Sequence, residues 1–334
     1  MPEARVTLAT VARAAQVSPA AASLALNDRP GVAMATRARV LAAAKKLGYR
    51  RRVGGAERVI GVLPTDLGNP YHTDVISGIE SQAEKLGMAV VIAHGRRDSE
   101  HLERQLRRLL DLDVDALIAV TTWLSPTVLE PAAQVVPTVV IGRMQDVVPD
   151  TDTVLNNDEA GAALAVRHLV SKGHRSIAHV TYSSRPGPAS RRAGFLTEVT
   201  RIGLRERCTV IGPDRTDDGL EMLLRRVHAE DPSAPTAVFA ANDIAAVSVL
   251  HRAAAAGVAV PEQLSVVGYD SSAVALTVRP HLTSVNQPRQ AMGTLAATML
   301  HERFSGRTRD TVSMVEPALS IRDSTAAARS TRAM

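Results

Sequence analysis

The chain has 334 residues, 45% of them apolar, which is enough for two or three separate cores and too much for a small fold stapled by disulfides or a metal. Its formal charge of +5 is unevenly placed: residues 1–58 hold 11 basic and 3 acidic side chains, and the remainder has a slight acidic excess. A basic head on a near-neutral body implies a polyanionic partner for the head.

In the head, Leu8, Val11, Ala12 and Ala15 recur at helical spacing behind Thr7, a candidate cap. Ser18-Pro19 restarts the pattern with a side-chain acceptor followed by a proline at the first helical position, predicting a second helix to about Leu26. A third is expected over 36–47, with Val40, Leu41, Ala44 and Leu47 inward and Gly48 as its C-cap. Two short helices, a tight turn and a supporting third suggest a helix-turn-helix, with a plain helical appendage as the bland alternative.

The wording of residues 7–27, with Pro30-Gly-Val32, Thr36-Arg-Ala-Arg-Val-Leu41 and Leu47-Gly-Tyr-Arg50, resembles the head of lactose-repressor-type (LacI/GalR) transcription regulators. The resemblance implies that the second helix enters the major groove of an operator. It assigns DNA contacts to Thr7, Ser18, Ser23, Asn27 and Tyr49, with Pro19, Ala20 and Leu24 on the same recognition helix. Three departures stand out. Ala21-Ala22-Ser23-Leu24 replaces the usual Thr-Val-Ser-Arg, so base readout is expected to be weak or A·T-leaning. Val32-Ala33-Met34-Ala35 lacks the usual capping serine and acidic first turn, so the third helix is expected to start late or fray. The linker, residues 50–58, is short, holds Gly54 and Gly55 and has no leucine wedge, although Arg50, Arg51 and Arg52 can neutralise phosphates.

From Val59 the chain alternates short apolar runs with longer amphipathic stretches. Strands are expected at 59–63, 89–93, 116–120 and 138–141, with helices at 73–86, 99–112 and 127–135 between them. A second series has strands near 177–181, 209–211, 237–240 and 265–268 and helices near 161–172, 189–203, 219–229 and 244–256. The fold class is therefore α/β: a helical head followed by two doubly wound parallel-sheet subdomains. Expected units are 1–49, a linker at 50–58, a first subdomain of 59–157 plus about 288–316, a second of 158–287 plus about 317–323, and a disordered Ala/Ser/Thr/Arg tail from 324 to 334.

Ligands of such sheets bind beyond the carboxyl ends of the strands, and the residues there are rich in polar groups. Asp66, Asn69 and Tyr71 follow the first run, Arg143 the fourth, and Asn157-Asp158 stands at the crossing; Tyr182, Arg191, Asn242-Asp243, Asp270 and Gln287 follow in the second series. Carboxylates, amides and guanidiniums facing one another suit a polyhydroxylated or nucleobase-like solute; ordinary loop polars and caps are the alternative. The same segments, including Arg191-Arg-Ala-Gly-Phe195, Ala240-Ala-Asn-Asp243 and Gly268-Tyr-Asp270, resemble the periplasmic-binding-protein-like effector core of the same family. That resemblance assigns effector contacts to Asn69, Tyr71, Arg143, Arg191, Asn242 and Asp270, with Asp66 and Gln287 as further candidates, and a dimer surface to helices near 73–86 and 158–172. It also implies an Asp-Asn pair where this chain has Asn157-Asp158. Trp123, after the third strand, suits either the cleft wall or a subunit contact.

Other chemistry finds little support. Pro64-Thr-Asp-Leu-Gly68 stands where a Gly-x-Gly-x-x-Gly would follow the first strand, and no Walker loop, Gly-x-Ser-x-Gly elbow or His-Glu-x-x-His helix occurs. His168 and His174 flank a helix end, where a cationic side chain suits the dipole. The lone Cys208 excludes an intramolecular disulfide and fits a reducing, cytoplasmic setting as a buried small hydrophobe. Glu3, Arg5, Arg13 and Gln16 break up any signal sequence, and no apolar run approaches the ~18 residues of a membrane span. No catalytic residue, metal or cofactor is expected. The expectation is a homodimeric, cytoplasmic transcription regulator, in repressor mode, that binds a double-stranded DNA operator and a sugar-like or nucleobase-like effector. A solute sensor with weakened DNA recognition and a sugar- or nucleoside-processing enzyme are the alternatives.

Overall fold

Residues 8–26, 30–47, 58–121 and 123–329 are described by the computed structural model. In the head, α1 (Leu8–Ala14), α2 (Pro19–Leu26) and α3 (Met34–Lys46) enclose a small core of Val11, Ala12, Ala15, Ala22, Ala25, Leu26, Val40 and Ala44. Ser18 caps α2, its Oγ accepting from the Ala21 N–H at 3.1 Å. Two expectations for α3 need correction. It begins at Met34, ahead of 36, although Ala33 offers no side-chain cap. Alanine-rich sequence favours helix strongly enough that packing of Val40 and Ala44 extends it without a cap. Leu41 lies half-exposed, off the inner face.

The body is built from β1 (Arg58–Pro64), α4 (Pro70–Lys85), β2 (Met88–Ile92), α5 (Ser99–Asp111), β3 (Ala116–Val120), α6 (Pro126–Ala133), β4 (Thr138–Ile141) and β5 (Thr151–Asn156). There follow α7 (Asp158–Ser171), β6 (Ile177–Val180), α8 (Pro186–Arg201), β7 (Thr209–Ile211), α9 (Thr216–His228), β8 (Ala237–Ala240), α10 (Asp243–Ala255) and β9 (Ser265–Asp270). The chain ends with α11 (Val274–Thr277), β10 (Thr283–Asn286), α12 (Arg289–Phe304), β11 (Val312–Val315) and β12 (Ala318–Ser320). The apolar runs are the parallel strands, buried on both faces, and the amphipathic stretches are the covering helices.

The first sheet runs β11-β5-β4-β3-β1-β2 and the second β12-β10-β9-β8-β6-β7. Apart from the antiparallel β12, neighbours are parallel, so both sheets share one doubly wound order. Each therefore has its switch point between equivalent strands, β1 and β3 in the first and β6 and β8 in the second. Element order and sheet membership together carry the chain between the sheets three times, after β5, after β10 and between β11 and β12.

On one face of the first sheet α4 crosses α12 at a glycine contact: a Cβ on Gly78 would stand 2.1 Å from the Gln290 carbonyl oxygen, and one on Gly293 2.1 Å from that of Val75. Leu102, Leu106, Leu109 and Leu129 cover the other face. On the second sheet, Phe195, Phe239 and Tyr269 sit under α7 and α8, and Leu220, Leu224 and Val249 lie on the opposite face.

Residues 324–329 correct the expectation of a disordered tail beginning at 324. Ser324 Oγ donates to the Val266 carbonyl at 2.6 Å and accepts from the Thr283 N–H at 2.8 Å, while the Ala328 N–H donates to the Lys172 carbonyl at 2.8 Å. Small side chains let this segment lie flat along β9, so a composition that resembles low complexity serves close packing. His168 and His174 belong to the same seam. His168 Nε2 meets Thr325 Oγ1 at 2.9 Å, and His174 bonds Thr236 Oγ1 at 2.8 Å and lies 3.1 Å from the Ala326 carbonyl. Burial pushes His168 down and His174 down to about 4, so neither is the dipole-pairing cation expected of them.

Candidate ligand-binding cleft

Within the body, the carboxyl ends of both sheets line one cavity of about 490 Å³, a size that suits a mono- or disaccharide-sized solute. At the first switch point Thr65 donates from Oγ1 to Thr121 Oγ1 at 2.7 Å, tying the ends of β1 and β3 together below the cavity. Asn69 caps α4, its Oδ1 accepting from the Tyr71 N–H at 3.1 Å, which leaves its amide hydrogens for a ligand. Asn242 repeats the device at α10, accepting from the Ala245 N–H at 2.8 Å. Arg185 is the N-cap residue of α8, so three helix N-termini are marked by cavity-lining residues.

Arg191 on α8 is the centre of the second lobe's wall. Its Nε donates to Asp158 at 2.9 Å and its Nη1 to the Ala241 carbonyl at 2.7 Å, with Asp270 3.6 Å away. Its guanidinium lies 3.9 Å over the Tyr269 ring. Burial lowers its pKa, but the negative charge of Asp158 and Asp270 outweighs that and raises it overall, so it stays charged. Gln287 Nε2 donates to Asp270 at 2.5 Å, and Asn156 Nδ2 donates to Asp158 at 3.2 Å and to the Tyr269 oxygen at 2.7 Å. Burial raises Asp270 to about 7 despite Arg191. Asp270 and Ser271 have φ of 102° and 50°, backbone conformations rarely adopted away from glycine. They are held by Arg289, which donates to the Ser271 carbonyl at 3.0 Å and to Asp74 of α4 at 2.9 Å, and so link the two lobes beside the cavity.

The first lobe's wall is looser. Arg143 Nε and His72 Nδ1 are buried without a partner, as is Asn156 Oδ1 at the end of β5 in the same sheet. Burial pushes His72 down to about 4, leaving it neutral. Burial likewise raises the Tyr71 hydroxyl, which stays protonated. Arg185 reaches from the second lobe and its guanidinium lies 4.0 Å over Trp123 of the first, which lines the cleft.

Of the effector residues read from sequence, Asp66, Asn69, Tyr71, Arg143, Arg191, Asn242 and Gln287 line the cavity, and Asp270 lies directly behind Arg191. Sequence reading gave no role to His72, Arg97, Asn156 and Arg185, which line the cavity too. The Asn157-Asp158 pair does not act as one unit: Asn157 caps α7 and bonds Glu316 at 3.0 Å, while Asp158 with Asn156 faces the cavity. Of the DNA-contact candidates, Ser18, Pro19 and Ala20 are exposed at the start of α2 and Leu24 is half-buried beside Gly31. Thr7, Asn27, Tyr49, Arg50, Arg51 and Arg52, and the side chain of Ser23, lie outside the described residues. Among those described, no three His, Cys, Asp or Glu side chains form a metal site, and no helix is long and apolar enough to cross a membrane.

Comparison with known proteins places both parts. Residues 7–52 match the profile described as "Bacterial regulatory proteins, lacI family", and residues 166–325 that of a periplasmic binding protein-like domain. The ribose operon repressor of Escherichia coli (strain K12) is 31% identical over 317 residues, 90% of this chain and 93% of the relative. Among solved structures, the lac repressor dimer bound to operator and an anti-inducer matches with a TM-score of 0.70 at 26% identity, covering 97% of this chain and all of that one. The transcriptional regulator CelR in complex with cellobiose matches at 0.68 and 29% identity, over 96% of this chain and all of that one. With head, two like-ordered sheets and intervening cleft matched together over nine-tenths of its length, the chain belongs to the lacI family of bacterial regulatory proteins.

Proposed function

We propose that the protein is a cytoplasmic, homodimeric repressor whose head binds a twofold operator and whose cleft binds a small polyhydroxylated effector. The observation that carries the effector half is the buried Arg191 network facing a wall with unpartnered donors, an arrangement made to grip hydroxyl-bearing solutes on one side and close over them from the other. The ribose repressor and the cellobiose complex among its relatives support a sugar-like ligand. The family is one of transcription regulators, and the enzyme alternative falls away with it.

In this reading residues 1–49 are the DNA-binding unit, with Ser18, Pro19, Ala20, Ser23 and Leu24 presented by α2, Thr7, Asn27 and Tyr49 around it, and Arg50, Arg51 and Arg52 on phosphates of the approach. The effector contacts are Asp66, Asn69, Tyr71, Arg143, Arg191, Asn242 and Gln287, with Asp270 orienting Arg191. A half-site is too short for useful specificity, so two heads are needed. The edge strand β2, with Val91 and Ile92 exposed beside α4, supplies apolar surface for pairing two copies. Effector favours one closure angle of the lobes, pivoting at the three crossovers, and shifts the population of operator-competent dimers.

The test is selection of bound genomic fragments by the full-length protein, then titration of the best fragment against salt and candidate effectors. A palindromic site with steep salt dependence, weakened or strengthened by a ligand of the cleft, is the expected result. Sequence-independent binding alone would instead identify a solute sensor, the reading that Ala21, Leu24 and a linker without a leucine wedge would then favour.

A further inference from the structure

We infer that the effector is an anion: a polyhydroxylated body carrying a carboxylate or phosphate group. The inference rests on the effector reading above and concerns the charge of its ligand. Four guanidiniums line the cavity, those of Arg97, Arg143, Arg185 and Arg191, against the two carboxylates of Asp66 and Asp158. These charges are not interchangeable. Arg191 is already neutralised by Asp158 at 2.9 Å, with Asp270 at 3.6 Å beside it, and those two groups are further occupied by Asn156 and Gln287. Asp66 accepts from the N–H of Gly68 within its own turn. Among the described residues, no carboxylate lies within salt-bridge distance of Arg97, Arg143 or Arg185, and Asp66 is the one lining carboxylate left to set against these three guanidiniums, so the cavity holds an excess of positive charge.

Two of these arginines show how the charge is kept available. The Nε of Arg143 is buried without an acceptor, a state that is unfavourable for a donor on a cationic group unless a ligand supplies one. Arg185 lies over the Trp123 face at 4.0 Å, and among the described residues no carboxylate pairs with its guanidinium, whose N–H groups can take two oxygens of an anion. The N-termini of α4, α8 and α10, whose N-cap residues Asn69, Arg185 and Asn242 line the same cavity, add positive partial charge. A neutral sugar would satisfy the hydroxyl-binding amides but leave these guanidiniums without counter-charge in a partly dehydrated space.

Full-length protein is titrated with matched sets: glucose against gluconate, glucuronate and glucose phosphate, ribose against ribose phosphate, and inorganic phosphate against chloride at equal ionic strength. The fluorescence of Trp123, the sole tryptophan, and the thermal midpoint are the readouts. At least one anion is expected to bind roughly tenfold or more tightly than its neutral parent, the scale of one charge-assisted hydrogen bond. The carboxylate and phosphate arms tell which oxyanion is favoured. Arg97→Gln and Arg185→Gln are expected to shrink that preference toward parity, whereas Arg104→Gln, on the solvent face of α5 beside Glu100, leaves it intact and excludes a net-charge effect. A neutral parent that binds as tightly as its anions overturns the inference while leaving the effector reading in place. Failure of every anion, inorganic phosphate included, to act beyond chloride overturns it as well. An anion that binds selectively but never alters operator affinity would uphold the inference and count against the regulator reading.

Discussion

The two walls of the cleft are built on the same strand order and each carries one asparagine-capped helix, yet they differ in how far their polar groups are satisfied. In the second lobe Arg191, Asp158, Asp270, Gln287 and Tyr269 form a network with Asn156 in which each charge has a partner before any ligand arrives. In the first lobe Arg143 and His72 carry buried atoms with none. Satisfied buried networks are rigid and specify one geometry, whereas unpartnered groups are stabilised only when something is bound. One wall is therefore a template and the other a closing face, and substitutions should separate them by what they damage.

The largest expected effect falls on the template. Arg191→Met leaves Asp158 and Asp270 as buried carboxylates without their cation, which should destabilise the fold by about 3–5 kcal/mol and abolish effector binding; chemical denaturation reads the first and titration the second. A stability loss below about 1 kcal/mol would mean that the network is not paired in advance and would break the comparison. Asp270→Asn probes the same wall through pH. Because burial raises Asp270 to about 7, the folded protein retains a proton that the unfolded chain releases above about pH 4. The stability this contributes is full below the unfolded value and is lost as pH rises through about 7. The variant should lack that decline, so stability of the natural chain minus that of the variant should fall by on the order of 2 kcal/mol between about pH 5 and pH 8. Taking the difference removes the opposite slope of His72, His174 and His179, whose lowered values make the fold lose stability as pH falls from about 6.5.

Much of this division can be traced to how each residue is encoded. The strands are legible because parallel strands buried on both faces must be continuous apolar runs, and Asn69 and Asn242 because a cap must directly precede its helix. β5, β10, β11 and β12 are not, being short or broken by polar residues; in β5 Thr151, Asp152 and Thr153 interrupt the apolar run, and Asp152 is buried there only because Arg303 and Arg307, some 150 residues on, each reach it, at 2.9 and 2.7 Å. Missing β5 also obscures Asn156 at its end and so separates Asp158 from its neighbour in the cavity. Arg97 and Arg185 lie in loops without periodicity, where only the fold brings them to the cavity, and the pairing of Arg185 with Trp123 joins two lobes that local sequence cannot relate. His174 is neutral because it is buried, under a C-terminal segment that bonds it at Ala326 and beside Thr236 and Ser265, surroundings invisible from its position at a helix end.

Smaller substitutions sharpen the contrast by first removing what the walls share. Asn69→Ala and Asn242→Ala each delete a cap and should each cost about 1 kcal/mol, equally on the two sides; unequal losses would locate part of the difference in the helices themselves. Arg143→Gln then isolates the closing face. The natural side chain makes no salt bridge, and its Nε is a buried donor without acceptor, so its removal relieves an unfavourable desolvation rather than breaking a contact. Stability should stay within about 0.5 kcal/mol of the natural chain or rise slightly. Effector affinity should nonetheless fall roughly tenfold, because the bond that would repay that desolvation forms only with ligand present. A loss of stability without loss of affinity would reverse the assignment, making Arg143 part of the scaffold as Arg191 is.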